Sequence, residues 1–271
     1  MKFFLPITII TSTLLANVKA RWHPAPGLTW DYLLGASNSV IEKSNQQVVT
    51  IDLEKAQTYV PYFHSRGQKV ICYFSGGTTE YRSDRTAYEK ANIVLKSGSG
   101  DGWGNQWLDI RNKAKLQPLI RNRMKRAYSY GCDAVEVDCL GIYNYRSDYT
   151  EEDSYVFAKW VAQTAHEENL SIGLKNVAGI AKRLEPYFDF AIVESCAASP
   201  NVCNIYKVFS DNNKAVFMVH YGNLGYKLSG SSLNTLIKEQ GGRGFTCILN
   251  EHQYLQKNGI NYNCSTGAVI S

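Results

Sequence analysis

The sequence lacks the short motifs that define several classes of function. It contains no Cys-x-x-Cys pair and no closely spaced histidine pair, so we expect no metal or other cofactor. No glycine-rich fingerprint follows the first apolar run, which disfavours a dinucleotide-binding fold. No nucleic-acid motif is present, and no long apolar segment follows residue 20. We therefore expect neither a nucleic acid nor a membrane as a partner of the processed chain.

Basic residues only slightly outnumber acidic ones. The chain has 29 basic and 24 acidic residues, and loss of Lys2 and Lys19 with a leader would lower the net charge from +5 to +3. The densest basic run, residues 121–126, is interrupted by apolar positions in a helical pattern. We interpret this run as the solvated face of a helix rather than as a polyanion-binding patch.

The first 20 residues have the pattern of a secretory signal peptide. Lys2 precedes an apolar run at residues 3–10, and Val18-Lys19-Ala20 provides a small-residue exit. The apolar run is too short to span a membrane. We predict a secreted, extracellular protein with a single mature domain at residues 21–271, and we expect a monomer.

Seven cysteines follow the predicted leader: Cys72, Cys132, Cys139, Cys196, Cys203, Cys247 and Cys264. In an oxidising compartment some should pair, and the odd number leaves at least one unpaired within the chain. The short loop between Cys196 and Cys203 suggests a local disulfide, and a bond between Cys247 and Cys264 would hold the C-terminus. We interpret Cys72, in an apolar strand pattern, as a small buried side chain. N-glycosylation motifs begin at Asn169 and Asn263.

Eight short apolar runs recur along the chain, most of them separated by longer amphipathic segments. The strand-like runs are residues 29–34, 48–53, 69–74, 134–138, 170–174, 188–193, 215–219 and 245–249. The helical patterns are residues 54–65, 116–130, 151–168, 180–187, 203–212 and 231–239. Apolar strands with intervening helices indicate a parallel sheet that is covered on both faces. Eight such units in about 250 residues predict an α/β fold, the (β/α)8 TIM barrel, with a doubly wound open sheet as the alternative.

Four carboxylates stand at or just after predicted strand ends: Asp52, Asp138, Glu194 and Glu251. The loops at these ends form the active-site face of a barrel. Glu136 and Asp138 are two residues apart on one strand, so they share a face, which we expect to point inward. An acid at the end of an apolar strand is costly to bury unless it is paired or used. Salt bridges or loop caps would explain each acid singly, whereas the location shared by all four favours a polar pocket.

Two carboxylates across a pocket are what glycoside hydrolysis requires. One stays ionised to attack the anomeric carbon or to activate water, and the other holds a proton for the leaving oxygen. Aromatic rings that stack on sugars are also available in or near the proposed loop face, although each one alone suits core packing as well. These residues are Trp30, Tyr73, Trp103, Trp107, Tyr143 and Tyr221.

An ordered set of stretches resembles a known family. The stretches are VICYFSGG at 70–77 with Glu80, WLDIR at 107–111, GCDAVEVD at 131–138, IGLKN at 172–176, FDF at 188–190 with ESC at 194–196, and KAVF at 214–217. In this order they resemble the secreted endo-α-1,4-polygalactosaminidases, the TIM-barrel glycosidases of glycoside hydrolase family 114. The resemblance covers roughly residues 29–220.

The resemblance implies an activity and two catalytic residues. The family places its catalytic carboxylates at the ends of strands four and six, which correspond to Asp138 and Glu194. By analogy with other α-glycosidase barrels, Asp138 would be the nucleophile and Glu194 the acid/base of a retaining reaction. The implied partner is a polysaccharide that contains α-1,4-linked galactosamine.

The sequence departs from the family pattern at several neighbouring positions. Val137 and Cys139 replace the usual Pro before and Asn after the strand-four Asp, and Gly141 replaces a further Asp. Val193 replaces the Asn before the strand-six Glu, and His220 replaces a Glu on strand seven. Because polygalactosamine is cationic, the loss of the acids at positions 141 and 220 is expected to affect the choice of substrate more than the type of reaction.

Eight residues are expected to contact or orient the substrate: Asp52, Tyr73, Glu80, Asp109, Glu136, Lys175, Asn176 and Tyr221. We expect Lys175 and Asn176 to orient Asp138 or keep it ionised, and Asp109 could instead form an ion pair with Arg111. His220 is either a proton relay or a hydrogen-bonded structural residue. Two alternative functions remain: a carbohydrate-binding barrel without catalysis, and a glycosidase for another α-linked glycan.

Overall fold

The computed structural model of the protein describes residues 20–96, 98 and 100–270. In this part of the chain, nine strands form one sheet in sequence order, and all neighbours but the last pair are parallel. The strands are β1 (Trp30–Tyr32), β2 (Val48–Asp52), β3 (Lys69–Ser75), β4 (Ala134–Asp138), β5 (Ser171–Lys175), β6 (Phe190–Glu194), β7 (Val216–Tyr221), β8 (Thr246–Asn250) and β9 (Ile260–Tyr262). The first eight coincide with the predicted strands to within a few residues. Most of the predicted signal peptide lies outside the described residues.

Nine α-helices occur among the described residues. They are α1 (Asn38–Ile41), α2 (Leu53–Ser65), α3 (Arg85–Lys90), α4 (Lys113–Tyr130), α5 (Glu151–Glu167), α6 (Ala178–Leu184), α7 (Val202–Ile205), α8 (Lys207–Asp211) and α9 (Gly230–Gln240). The short helices α1 and α3 were not predicted, and the predicted helix at 203–212 is divided between α7 and α8. The helix predicted at 180–187 continues beyond α6 only as a 3-10 turn, because Pro186 has no N–H to extend the helical hydrogen bonds.

Caps fix the ends of the helices that adjoin the strands. Asp52, the last residue of β2, accepts a 2.8 Å hydrogen bond from the backbone N–H of Glu54 and so begins α2. Thr150 and Asp153 form a reciprocal capping box at the start of α5. Helix α4 ends at Gly131, whose φ of 86° lies in the left-handed region that favours glycine.

Side chains alternate along the strands between two apolar layers. The layer inside the barrel includes Trp30, Tyr32, Ile71, Ala134, Phe190, Ile192, Phe217 and Ile248. The other layer also holds the buried helix side chains, and it includes Val49, Ile51, Val70, Phe74, Val135, Val137, Ile172 and Met218. Because Val135 and Val137 face the helices, Glu136 and Asp138 point inward, as expected.

The seam of the barrel differs from the predicted (β/α)8 closure. In the described part of the chain β1 and β8 share no ladder, and β9 instead pairs antiparallel with β8. From β9, the Asn261 amide accepts from the N–H of Trp30 and donates to its carbonyl, both at 2.9 Å. The sheet is therefore a nearly closed, TIM-barrel-like barrel whose seam is bridged by side chains. The sequential order of parallel strands excludes the doubly wound alternative.

Three disulfides join Cys72 with Cys132, Cys196 with Cys203, and Cys247 with Cys264. The last two pairs confirm the sequence expectations. Cys72 is buried, as expected, but it forms a disulfide instead of only filling space, because it faces the helices from β3 and Cys132 lies beside it just before β4. Among the described residues Cys139 is the free cysteine. No helix of residues 20–96, 98 or 100–270 has both the length and the apolar character needed to cross a bilayer.

Candidate active site

A cavity of about 470 Å³ opens at the carboxyl ends of the barrel strands. Six of the predicted site residues line it: Tyr73, Glu80, Asp138, Lys175, Asn176 and Glu194. Trp103 and Trp107, two of the expected aromatic residues, line it as well. The volume lies in the range of small-molecule sites, so the cavity has room for a sugar ring.

Asp138 ends β4 and faces the cavity, with 25% of its side chain exposed. Its Oδ1 accepts a 2.7 Å hydrogen bond from the backbone N–H of Cys139. Its Oδ2 accepts a 3.1 Å hydrogen bond from the Tyr73 hydroxyl and lies 3.6 Å from Lys175 Nζ. Donors thus surround the carboxylate on the barrel side, while a quarter of it stays open to the cavity.

Glu194 ends β6 on another wall of the same cavity. Its Oε1 accepts a 2.5 Å hydrogen bond from the Tyr221 hydroxyl, and its Oε2 accepts a 3.1 Å hydrogen bond from the Asn176 amide. The side-chain Oδ1 of Asn176 in turn accepts a 2.9 Å hydrogen bond from the backbone N–H of Glu194. Lys175 Nζ lies 3.3 Å from Oε2. These contacts fix the orientation of the carboxylate.

The environment of Glu194 favours its ionised form. Burial raises the pKa of the carboxyl, but the charge of Lys175 and the hydrogen bonds from Tyr221 and Asn176 outweigh burial and lower the pKa below its usual value. In the free protein at neutral pH, Glu194 is therefore a carboxylate that three neighbouring donors stabilise.

Lys175 connects the two carboxylates to a third acid below them. Its ammonium donates 2.8 Å hydrogen bonds to Glu136 Oε1 and to the Tyr32 hydroxyl, and that hydroxyl donates to the same Oε1 at 2.6 Å. Glu136 is fully buried, and burial, opposed by the Lys175 charge, raises its pKa to about 7. Glu136 Oε2 has no hydrogen-bond partner among the described residues. Glu136 thus lies beneath Lys175 rather than at the cavity wall where substrate contact was expected.

The shared contact with Lys175 limits how far apart the two cavity carboxylates can be. Both contact Lys175 Nζ, so Asp138 Oδ2 and Glu194 Oε2 can be no farther apart than the 3.6 and 3.3 Å contacts combined, about 7 Å. Retaining glycosidases hold their carboxyl groups about 5–5.5 Å apart and inverting ones about 6.5–9.5 Å apart. The upper limit is compatible with the retaining spacing and with the lower end of the inverting one.

Left-handed backbone follows three of the strands that supply these side chains. Cys139, Asn176 and Ser195, which come directly after Asp138, Lys175 and Glu194, have φ values of 61°, 54° and 49°. Val177 has a φ of 57°, which is unfavourable for a β-branched residue. Each strand therefore turns sharply after its functional side chain, and such strain clusters at active sites.

Glu80 lines the cavity but is already bound to two arginines. It accepts hydrogen bonds from Arg123 at 2.6 Å, from Arg82 Nη2 at 2.9 Å and from the backbone N–H of Ser75 at 2.9 Å. Arg123 belongs to the basic run that we interpreted as a solvated helix face, yet it is buried and also pairs with Asp84. That interpretation is wrong for Arg123, because α4 turns this position toward the barrel.

The other strand-end acids lie outside the lining. Both Asp52 oxygens bind Arg82, at 2.8 and 2.7 Å, and Glu251 pairs with Lys257 and His252. Asp109 accepts from the Tyr149 hydroxyl at 3.0 Å. Among the described residues the Asp109 carboxylate does not form the ion pair with the Arg111 side chain that was the alternative to substrate binding, and from Arg111 it accepts a hydrogen bond only from the backbone N–H. The Arg111 guanidinium pairs instead with Asp153 at 2.6 Å.

Several other candidates contribute to packing or to the support of the site. Tyr221 is buried and reaches Glu194, but it does not line the cavity. His220 is buried, burial lowers its pKa to about 3, and its Nε2 accepts from the backbone N–H of Ala197. This geometry supports the structural alternative for His220. Trp30 packs inside the barrel against Tyr32, and Tyr143 lies outside the lining.

Sequence reasoning missed several lining residues: Tyr32, Asp101, Asn105, Cys139, Tyr145 and Tyr254. Tyr32 ends β1, so the strand-end rule could have found it had it been applied to hydroxyl groups as well as to acids. Asp101, Tyr145 and Tyr254 lie in loops, where no periodic pattern reports the direction of a side chain. Only the packed loops bring them to the cavity.

The fold and the site together define a class of protein. A nearly closed parallel barrel carries two carboxylates at the ends of different strands, and they face one sugar-sized cavity. This combination defines a glycoside hydrolase with a TIM-barrel-like fold.

Comparison with known proteins assigns the family. Residues 11–269 match the sequence profile of glycoside hydrolase family GH114, and the chain belongs to this family. The structure is similar to that of Aspergillus fumigatus Ega3 in complex with galactosamine, with a TM-score of 0.76 and 28% identity over 89% of this chain and 98% of Ega3. No curated protein sequence matches the chain.

A more distant structure shares the fold. The glycoside hydrolase domain of PelA from Pseudomonas aeruginosa gives a TM-score of 0.63 at 14% identity, over 86% of this chain and 97% of that domain. At this identity the likeness shows the fold alone.

Proposed function

We propose that this protein is a secreted glycosidase that cleaves a polysaccharide containing α-1,4-linked galactosamine, with Asp138 and Glu194 as its catalytic carboxylates. One observation carries the proposal: these two acids share one cavity and one ammonium contact, Lys175, while each keeps about a quarter of its side chain exposed. The other strand-end acids are held in ion pairs outside the cavity.

The proposed reaction is a two-step retaining one, as the family analogy implies. The first step starts from the fraction of molecules in which Glu194 is protonated. The Asp138 carboxylate attacks the anomeric carbon, the glycosidic C–O bond breaks, and Glu194 gives its proton to the leaving oxygen. Glu194, now a carboxylate, takes a proton from water, the water oxygen attacks the anomeric carbon, and the ester bond to Asp138 breaks. Both carboxyl groups are then restored. This division of roles follows the family analogy and is consistent with the upper bound on the carboxylate separation.

The charge of the cavity favours a cationic sugar. Apart from Glu80, whose charge Arg82 and Arg123 offset, its described lining has three carboxylates, Asp101, Asp138 and Glu194, against Lys175 as the only cationic side chain. Even with acids lost at positions 141 and 220, this balance is negative where the substrate binds. A galactosamine ammonium gains from such a potential, and the similar Ega3 was solved with galactosamine.

The test is hydrolysis of partially deacetylated galactosaminogalactan, followed by detection of released oligosaccharides. We expect activity in the wild type and a loss of at least about a hundredfold in Asp138→Asn and in Glu194→Gln, with the fold intact. The matched control is Glu251→Gln, which changes a strand-end acid outside the cavity and should keep full activity. Wild type that releases no product, or two variants that both stay active, would refute the assignment.

A substrate panel separates the two alternative functions. A glycosidase for another α-linked glycan would release product from a neutral α-glucan or α-galactan and not from the galactosamine polymer. A binding barrel without catalysis would bind the polymer saturably and release nothing. The upper limit of about 7 Å on the carboxylate separation is compatible with catalysis, so the release of product is what decides between these functions.

We also infer that the mature chain begins at Arg21 and is secreted. The charged and apolar start of the sequence supports a cleaved leader, and three disulfides are consistent with an oxidising compartment. Mass spectrometry of protein from the culture medium tests the cleavage site. An N-terminus other than Arg21 would contradict it.

A further inference from the structure

Lys175 has fewer hydrogen atoms to donate than it has acceptors around it. An ammonium carries three N–H groups. Two of them are used by 2.8 Å hydrogen bonds to the Tyr32 hydroxyl and to Glu136 Oε1. One N–H is left for two carboxylates, Glu194 at 3.3 Å and Asp138 at 3.6 Å.

The two longer contacts are what a shared donor produces. A charged N–H···O bond usually measures about 2.7–2.9 Å, and neither carboxylate is that close. The nitrogen lies between the two oxygens, slightly nearer Glu194. The remaining N–H can therefore form a full bond with either acid after a small movement, but not with both at once.

Glycoside hydrolysis moves negative charge between the same two groups. In the retaining reaction, Asp138 loses its charge as its ester forms, and Glu194 becomes charged as it gives up its proton. In an inverting reaction the base gains a proton as the acid loses one, so charge again leaves one carboxyl and reaches the other. In a retaining or an inverting reaction, Lys175 is therefore in contact with both the carboxyl group that loses negative charge and the one that gains it.

We propose that Lys175 is a positioning residue that passes its one remaining N–H from one catalytic carboxylate to the other, following the negative charge. The inference rests on the proposed roles of Asp138 and Glu194. No bond to Lys175 forms or breaks, and its proton stays on nitrogen. Each carboxylate is thereby stabilised only while it is charged, which favours both steps of the reaction.

Glu136 and Tyr32 provide the anchor that this movement needs. Both are fully buried, and each forms a 2.8 Å hydrogen bond with Nζ, Tyr32 from β1 and Glu136 from β4. The anchored ammonium can therefore tilt between the two carboxylates without leaving its place. Glu136 acts through Lys175 and has no substrate contact of its own.

Crystal structures of Asp138→Asn and Glu194→Gln test the transfer directly, because each variant removes one of the two charges. In Asp138→Asn, Nζ should move to within about 3 Å of Glu194 Oε2. In Glu194→Gln it should move by a similar amount toward Asp138 Oδ2. An ammonium at the same place in both variants, or displaced in the same direction in both, overturns the proposal.

Lys175→Met tests the consequence for catalysis and for titration. We expect kcat to fall at least about a hundredfold with a much smaller change in KM. We also expect the pKa of Glu194, followed by NMR of carbon-13-labelled glutamate, to rise by about one unit. A residue with only a structural role would leave this pKa unchanged. Lys214→Met, which breaks the 2.7 Å ion pair with Glu185, is the control and should alter neither quantity.

The outcomes separate this inference from the proposed function. The two crystal structures need neither turnover nor a stable Lys175→Met protein. If Nζ moves as expected but the wild type releases no oligosaccharide, the proposed function fails and the transfer during catalysis fails with it. If the wild type is active while Nζ stays fixed, only the transfer is refuted.

Discussion

The hydroxyl of Tyr221 lies 2.5 Å from Oε1 of Glu194, the shortest hydrogen bond that either cavity carboxylate receives. Tyr221 ends β7, the strand next to β6, and both groups point into the barrel. A neutral donor thus acts with Lys175 to favour the ionised form of Glu194. Tyr221 therefore lowers the pKa of Glu194, the proposed acid/base, although it does not line the cavity.

Tyr221→Phe should shift the pH dependence of the enzyme. Loss of a donor to the carboxylate raises the pKa of Glu194, so more of it is protonated at a given pH. Because the proposed first step needs a protonated Glu194, the alkaline limb of kcat/KM should move up by about one pH unit. Tyr226→Phe, at a tyrosine that packs against His220, is the control. If the alkaline limb is unshifted in Tyr221→Phe, the hydrogen bond from Tyr221 does not determine the pKa of Glu194.

The exposed aromatic residues at the rim should bind the polymer. Trp103 and Tyr254 line the cavity with 57% and 62% of their side chains exposed, and their rings meet edge to face at 5.5 Å. We expect Trp103→Ala and Tyr254→Ala to raise KM for the polymer about five- to tenfold, the loss of about 1 kcal/mol of stacking. Tyr81→Ala removes a ring that is 81% exposed but outside the cavity, and should leave KM unchanged. Equal KM values in all three variants would contradict this role.

Glu136 should make the protein less stable as the pH rises from about 5 to 7. Burial raises its pKa from 4.5 to about 7, so in this window the folded state holds a proton that the unfolded chain has released. Stability falls with pH wherever the folded state binds more protons, here by at most about 1.4 kcal/mol per unit. Glu136→Gln removes this contribution.

Urea unfolding of wild type and Glu136→Gln at pH 5, 6 and 7 measures the difference in slope. Glu251→Gln, which changes an exposed acid, should retain the wild-type slope. Parallel pH dependences for Glu136→Gln and wild type would show that the pKa of Glu136 is not raised in the folded state.

Cys139→Asn should stabilise the protein. Cys139 has a φ of 61°, and Asn adopts the left-handed region more readily than other residues that carry a side chain. We expect a gain on the order of 1 kcal/mol in the free energy of unfolding, seen as a higher Tm. Cys139→Ser also removes the thiol but has less preference for this conformation, so it should give no gain. Equal Tm values for the two variants would argue against backbone strain at this position.

The disulfides should differ in their contribution to stability. The bond between Cys72 and Cys132 joins residues 60 apart, whereas Cys196 and Cys203 are 7 apart. The loss of chain entropy in the unfolded state grows with loop length, giving about 4 kcal/mol for the long loop and about 2 kcal/mol for the short one. Paired Cys→Ser variants, unfolded in urea, measure both. A larger loss from the short loop would contradict the entropic account.

The sequence predicted the course of the chain more closely than the chemistry of the site. Apolar runs of strand length and amphipathic segments located the eight parallel strands, because buried strands and covering helices each require a regular pattern. The sequence pattern did not predict β9, and it therefore did not predict how the barrel is joined at its seam. A three-residue strand has no periodicity, and the amide of Asn261 that bridges the seam is a single polar side chain.

Polar residues show where sequence reasoning ends. Asp52 and Asp138 both end strands, yet Arg82 binds the first and the second faces the cavity. Arg123 lies in a basic run that suggests an exposed face, yet it is buried against Glu80. The direction of each side chain, and the partner that it meets, depend on residues far away in the chain.

The amino-acid order alone determined that carboxylates would stand at the ends of parallel strands, since strand periodicity and the alternation of faces are local properties. Only the tertiary structure decided which of these acids meet in one cavity, and it placed Lys175, Glu136 and Tyr32 beneath them. The physical reason is that the ionisation of a buried acid depends on distances to charges and donors contributed by other strands. Those distances exist only once the barrel has formed.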